Sequence, residues 1–234
     1  MTENPVVEIR NISKHFGEGA TRVDALRDVS IDVFPGTVIG LRGPSGSGKS
    51  TLLNVIGCIL EPNAGSMKLN GELVYDGKWL RTDLRGLRLE KIGFIFQSHN
   101  LLPFLNAWEN VAVARILAGA SLSQAKARAV ELLTYLGIER RKDAMPGQLS
   151  GGEAQRIAIA RALANDPRII LADEPTAALD SQRAGAVMDM LRKVATDRRT
   201  AVIVVTHDEK IFDRFDRIYA LRDGAIEEPQ QKAA

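Results

Sequence analysis

Two groups of residues in this 234-residue chain have the types and spacing to do chemistry on a polyphosphate. The first is Gly43-Pro44-Ser45-Gly46-Ser47-Gly48-Lys49-Ser50, which fits the G-x-x-x-x-G-K-[ST] pattern without exception. Its glycines let the backbone curl so that successive N–H groups point inward at phosphate oxygens. A helix opening at Lys49 adds free donors and a favourable dipole, with Ser50 and Thr51 in its first turn. Lys49 supplies an ammonium to the β- and γ-phosphates, and the Ser50 hydroxyl can ligate Mg²⁺. The second group is Asp173-Glu174, which ends the apolar run Ile169-Ile170-Leu171-Ala172. Successive strand residues point to opposite sides, so the two acids are expected to have different jobs. Asp173 would hold Mg²⁺ through a water, and Glu174 would polarise an attacking water as general base.

These residues need elements to position them. Val7 and Ile9 alternate with polar neighbours as a first strand, and Ile31 and Val33 continue that pattern up to the Pro35-Gly36 turn. Thr37 to Leu41 reads as a buried strand feeding the glycine-rich loop, and Lys49 to Ile56 as a helix. Asn70-Gly71 is a hairpin signal, and Ile92 to Phe96 another strand. From about Asn106 to Gly137 the pattern is helical, with Ser123 as a candidate N-cap and Gly137 as a stop. Ser150 and Glu153 have capping-box spacing and open a helix carrying Ile157, Ile159 and Leu163, which Pro167 terminates. Ile169 to Ala172 and Ala201 to Val205 are buried strands, with a helix over Ser181 to Ala195 between them. Strands alternating with helices predict an α/β chain with a mostly parallel sheet. Ligands of such sheets bind at the carboxyl ends of the strands, so the acid pair should emerge beside the phosphate loop.

Composition narrows the alternatives. Hydrophobic residues at 45% and charged residues at 26% suit a globular core with a solvated surface. Lys plus Arg is 31 against 29 Asp plus Glu, a net +2, and no long basic run exists, so no nucleic-acid partner is expected. Glu139-Arg140-Arg141-Lys142 reads as a solvated loop. Cys58 is the only cysteine, which excludes an intrachain disulfide and a cysteine zinc site; it reads as a core residue. His15 and His99 are expected on the surface, Trp79 and Trp108 in packing roles. Met1 to Pro5 has no signal segment, and no run approaches the roughly 18 apolar residues of a spanning helix. The expected location is intracellular, and any membrane role requires a partner. The polar tail from Glu227 to Ala234 is expected to be disordered.

A third motif narrows the class. Leu149-Ser150-Gly151-Gly152-Glu153 resembles the LSGGQ signature of the ABC ATPases. Gln97 looks like that family's Q-loop glutamine, Ala178-Leu179-Asp180 like its D-loop, His207 like its switch histidine, and Phe16 like the aromatic residue that stacks on adenine. All stand in family order, and the resemblance covers essentially the whole chain. It implies a P-loop NTPase of the ABC-ATPase fold: a mostly parallel core sheet, an antiparallel β subdomain and an inserted helical subdomain. A single ATP-binding domain would span residues 1–228, with the helical subdomain at about 98–160 and a polar tail at 229–234. The implied ligands are ATP and Mg²⁺. Gln97 joins Ser50 and Asp173 around the metal, and Ser150, Gly151, Gly152, Glu153 and Asp180 join the nucleotide site. Glu153 in place of glutamine and Ala178 in place of serine or glycine are departures from the family pattern. An acid at position 153 lies in a first helical turn, where the dipole favours it, and adds negative charge near an opposing nucleotide.

The signature also has a physical reading of its own. Ser150, Gly151 and Gly152 at a helix N-terminus form a second anion site. Two such sites in one compact chain cannot grip one γ-phosphate, whereas two copies arranged head to tail can. A homodimer, or a pairing with another ATPase subunit, is therefore expected.

Shorter features resemble one branch of the family. Phe94-Ile95-Phe96-Gln97, Asn100-Leu101-Leu102-Pro103, Glu109-Asn110-Val111, the Glu-ending signature and Phe16-Gly17-Glu18-Gly19 are similar to the LolD, MacB and FtsE group, with DevA-type exporters close by. That resemblance implies an ATPase on the cytoplasmic, inner face of the cell membrane, driving an integral membrane permease. The permease would dock near Gln97 to Phe104, where Leu101, Leu102 and Pro103 form an apolar run, and would itself bind the substrate. The sequence also admits two other readings. One is an FtsE-like regulator that transmits force and moves no substrate. The other is a non-transport ABC ATPase, disfavoured by the single cassette, the lack of a heptad run and the single cysteine.

Overall fold

A computed structural model of the chain describes residues 3–177 and 179–227. Ala178 of the D-loop motif and the expected tail at 229–234 lie outside these described residues.

The most apolar runs of the chain form the centre of a six-stranded sheet. Its strands are β3 (Val38–Arg42), β6 (Ile92–Ile95), β7 (Ile169–Asp173), β8 (Ala201–Val205), β9 (Arg217–Arg222) and β10 (Ala225–Glu227). The order is β10-β9-β3-β8-β7-β6, and every neighbouring pair is parallel except β10 with β9. Side chains of β7 and β8 alternate between two cores. Ile170, Ala172, Val202 and Val204 point into one, and Ile169, Leu171, Ala201, Ile203 and Val205 into the other. That is the period-2 consequence of a strand buried on both faces.

One face is covered by a four-stranded antiparallel sheet ordered β2-β1-β4-β5 and by a short helix. The strands are β1 (Val7–Phe16), β2 (Val23–Val33), β4 (Ala64–Leu69) and β5 (Glu72–Asp76), and the helix is α1 (Lys49–Ile56). The β4–β5 turn is Asn70-Gly71, both with left-handed φ (53° and 80°), as a tight hairpin requires. Helix α2 (Leu84–Lys91) leads into β6. The other face packs against α3 (Ala107–Leu117), α4 (Leu122–Tyr135), α5 (Gly151–Ala162) and α6 (Ser181–Arg198). The first three of these lie between β6 and β7, as expected from the helical pattern there.

Some expectations require correction. The N-cap of α4 is Ser121, not Ser123. The Ser121 hydroxyl accepts from the Gln124 N–H at 3.3 Å, and the Gln124 side chain accepts from the Ser121 N–H at 3.0 Å. Three residues beyond Ser123 stands Lys126, which has no acceptor to complete such a box. Helix α6 runs three residues past Ala195 and ends where Arg199 turns left-handed at φ 51°. Strand β6 stops at Ile95 and leaves Phe96 exposed. His99 is half-buried rather than on the surface, and burial and nearby Arg161 lower its pKa.

Candidate active site

The phosphate loop joins β3 to α1, and its shape depends on two glycines. Gly43 (φ 153°) passes so close to Leu221 that a Cβ would strike its carbonyl oxygen. Gly48 (φ 103°) passes equally close to the Ala25 carbonyl, so no side chain fits at either end of the loop. Between them, the Ser47 N–H donates to the Pro44 carbonyl at 3.2 Å. The Lys49 ammonium folds back over this turn and donates to the carbonyls of Gly43 and Pro44, both at 2.8 Å. A cation is thus held at the mouth of a loop that only glycine backbone could form.

The acid pair emerges at the carboxyl end of β7, beside the end of the parallel strand β8. Asp173 is the last residue of β7, paired with Val205 of β8. Glu174 then turns left-handed (φ 49°), with its N–H donating to the Val205 carbonyl at 3.0 Å. This turn directs Glu174 at His207, two residues beyond β8, and its Oε1 lies 2.7 Å from His207 Nδ1. Its Oε2 is buried and has no hydrogen-bond partner among the described residues. A carboxylate accepts only, so the His207 Nδ1 carries the hydrogen when Glu174 is ionised. Burial raises the Asp173 pKa, the Glu174 charge raises it further, and Lys49 opposes both.

Loop, acids and histidine line one cleft of about 590 Å³. It brings together Gly43, Ser45, Gly46, Ser47, Gly48, Lys49, Ser50 and Thr51 with Gln97, Asp173, Glu174 and His207. Pro44 faces an adjoining hollow, also walled by Gly43 and His207. A glycine cradle and a lysine ammonium fit a nucleotide triphosphate tail, and the carboxylate beside them can accept a proton. Ser50, Gln97 and Asp173 in the same cleft fit Mg²⁺, which keeps several waters and takes few protein ligands.

Val23, Asp24 and Ala25 also line the cleft and were missed by sequence reasoning. Phe16 does not line it; it ends β1, half-exposed, opposite Val23 in register, with the Lys14 ammonium 5.1 Å from its ring centroid. The glycines at 17 and 19 were the available signal, because a turn there returns the chain and sets Val23 against Phe16.

The signature lies elsewhere. Ser150 caps α5 and shares a reciprocal box with Glu153, whose side chain accepts from the Ser150 N–H at 2.7 Å. Arg141 Nε approaches the other carboxylate oxygen of Glu153 at 3.1 Å. The bond from the Ser150 backbone, then the Ser150 hydroxyl and Arg141, hold the Glu153 carboxyl below its usual range. Its charge is therefore turned back onto its own helix start and onto Arg141. Ser150 and Gly152 border a separate cleft of about 200 Å³ with Leu179. Gly151 and Gly152 have open space where a Cβ would stand. Asp180 caps α6, accepting from the Arg183 N–H at 2.9 Å, and does not line the phosphate-loop cleft.

In the stretch expected to dock a partner, Phe104 is 72% exposed. Leu101 packs against the helical core. Leu102 is fastened at both its N–H and its carbonyl to the Asn110 side chain. Beside this stretch, Phe94, Phe96, Val113 and Leu117 line an apolar groove of about 350 Å³, with Arg85, Arg88 and Arg161 among its walls.

The family model described as ABC transporter matches residues 26–177. The chain is 43% identical over 225 residues to the lipoprotein-releasing system ATP-binding protein LolD of Novosphingobium aromaticivorans, covering 96% of this chain and 99% of that protein. It is 45% identical over 228 residues to the macrolide export ATP-binding/permease protein MacB of Mannheimia succiniciproducens, covering 97% of this chain but 35% of that longer protein. Among solved structures it is similar to the dimeric ATP-binding cassette MJ0796 in a post-hydrolysis state bound to ADP and Pi. That match has a TM-score of 0.84 at 39% identity, over 97% of this chain and 99% of that one. Among the described residues no helix is long and apolar enough to cross a membrane. With a phosphate loop, a strand-end acid pair and an LSGG signature in one α/β frame, the chain belongs to the ABC transporter family as an ATP-binding, ATP-hydrolysing cassette of the LolD and MacB type.

Proposed function

We propose that two cassettes close head to tail over two ATP molecules and that each Glu174 acts as general base within its own chain. The observation that carries this reading is the Glu174–His207 contact of 2.7 Å between two residues that line the phosphate-loop cleft, with Glu174 Oε2 left without a hydrogen-bond partner among the described residues. A base must be oriented and must keep one acceptor for the proton of the attacking water. His207 orients Oε1 and leaves Oε2 for that proton, while Lys49 offers its charge to the β- and γ-phosphates. Ser50, Gln97 and Asp173 would hold Mg²⁺, and the ion would supply charge neutralisation for the triphosphate. Phe16 and Val23, facing each other at the end of the β1–β2 hairpin, would flank the adenine.

The separation of the signature from the phosphate-loop cleft supports a site completed by a second chain. A membrane permease of the export or lipoprotein-release type would dock at the groove beside Phe96 and at the exposed Phe104, and the cassette would then work at the inner face of the cell membrane. The apolar groove and Phe104 favour this transport reading over a cassette that works free of any membrane protein.

Replacing Glu174 with Gln tests the central claim. ATP binding should survive, turnover should fall by about 10²–10⁴-fold, and an ATP-bound dimer should accumulate, as seen by size-exclusion chromatography. Near-normal turnover would reject Glu174 as the base.

A further inference from the structure

Arg161 stands in the last turn of α5, at the opposite end from the signature. A helix of twelve residues separates those ends by about 18 Å. The Arg161 guanidinium donates from Nη1 to the carbonyl of Asn100 and from Nη2 to the carbonyl of His99, each at 2.6 Å. Both acceptor residues are left-handed, with φ of 49° and 51°. Two consecutive non-glycine residues in that conformation need their surroundings to impose it. A planar fork suits two adjacent carbonyls, whereas a lysine ammonium is a single point of charge.

The clamp sits just beyond Gln97. The His99 N–H donates back to the Phe96 carbonyl at 3.2 Å, so a closed turn contains Gln97. Farther along, Asn110 donates to the carbonyls of Leu102, Leu105 and Asn106 and fixes the next stretch independently. Gln97 is thus held between the end of β6 on one side and the Arg161 clamp on the other. Arg161 also forms part of the wall of the apolar groove with Phe94, Phe96 and Leu117. One side chain therefore touches the groove and the turn that enters the nucleotide cleft, and it is carried by the helix that begins with the signature.

We infer that Arg161 is a positioning residue that sets Gln97 at the nucleotide cleft and ties its place to the groove and to the signature helix. This rests on the roles proposed above for Gln97 and for the groove. The clamp works through geometry. If the fork is lost, the two left-handed residues relax, the turn opens and Gln97 leaves the cleft. Lys49, the phosphate loop and Glu174 remain as they are.

The test uses Arg161→Lys and Arg161→Met in the full chain. Hydrogen exchange followed by mass spectrometry should show amides of residues 97–101 exchanging about tenfold faster, with those of α1 unchanged. The kcat should fall about tenfold, while KM and the ATP Kd measured in EDTA stay within about threefold. The lysine variant should keep its thermal midpoint within about 3 °C and still fail to restore turnover. Wild-type turnover and wild-type protection in the lysine variant would overturn the inference. So would variants whose loss follows ATP affinity or melting while exchange at 97–101 is unchanged, since Arg161 would then be a packing residue. Failure of the underlying reading shows elsewhere, as a Gln97→Ala protein that keeps wild-type turnover.

Discussion

Placing a carboxylate at Gly151 separates the shared-site reading from a site complete within one chain. Gly151 is the first residue of α5, and a Cβ there meets nothing within 4 Å. Gly151→Asp therefore fits the single chain without displacing a neighbour. An acid in the first helical turn is stabilising by about 0.3–1 kcal/mol, so the folded cassette should be no less stable. ATP binding to one chain should also persist, because Gly151 does not line the phosphate-loop cleft. The effect should appear only when a second chain brings its signature to the γ-phosphate. Two unit charges at about 4 Å and an effective dielectric constant of about 20 repel by about 4 kcal/mol. That is about three orders of magnitude in closure for each site. The assay is sedimentation velocity with ATP, in a Glu174→Gln background so that any dimer formed persists. ATP titration calorimetry and steady-state turnover of the single variant complete it. The expected result is normal ATP binding, no ATP-driven dimer and no turnover. Mixing Gly151→Asp with Lys49→Ala should restore part of the activity, since one site of the mixed dimer pairs an intact loop with an intact signature. Turnover at the wild-type rate by Gly151→Asp alone would refute the reasoning.

Lys49→Ala should lose nucleotide affinity, because an ammonium held at the loop mouth is removed. His207→Ala should keep affinity and lose turnover, because its contact is with Glu174; equal loss of binding in both variants, measured by calorimetry, would misplace His207. The raised pKa of Asp173 gives a pH signature of definite sign. In the metal-free protein the folded state takes up this proton more readily than the unfolded state, so this group's contribution to stability declines as pH rises through its folded pKa. Asp173→Asn should accordingly raise the metal-free thermal midpoint at neutral pH and abolish Mg²⁺ binding. In the wild type, Mg²⁺ affinity should weaken on acidification before an ordinary aspartate would protonate. A metal-free midpoint lowered by Asp173→Asn would contradict the burial argument.

Much of this molecule is legible locally. The phosphate loop needs glycine at fixed spacing because backbone N–H groups do the binding, and that demand is written in eight consecutive residues. The strands β7 and β8 announce themselves because a strand buried on both faces must be apolar throughout. The α5 capping box is equally local, since Ser150 and Glu153 are three residues apart. Ser121 shows the limit even there: two serines stand near the start of α4, and the acceptor three residues on decides between them.

Other features depend on residues far apart in sequence. Gly43 is required by the Leu221 carbonyl and Gly48 by that of Ala25, and no local pattern reveals either neighbour. The strand-end acid pair marked Glu174 and family order marked His207, but their contact exists because β7 and β8 are parallel neighbours ending at the same level. Val23 reached the cleft through hairpin register, and Arg161 reached the Gln97 turn because α5 packs beside β6. Backbone freedom, charge and hydrophobic period are properties of short segments, so the chain alone marks which groups could bind and split a triphosphate. Which of those groups meet depends on strand order and helix packing, because these bring together residues that no local spacing relates.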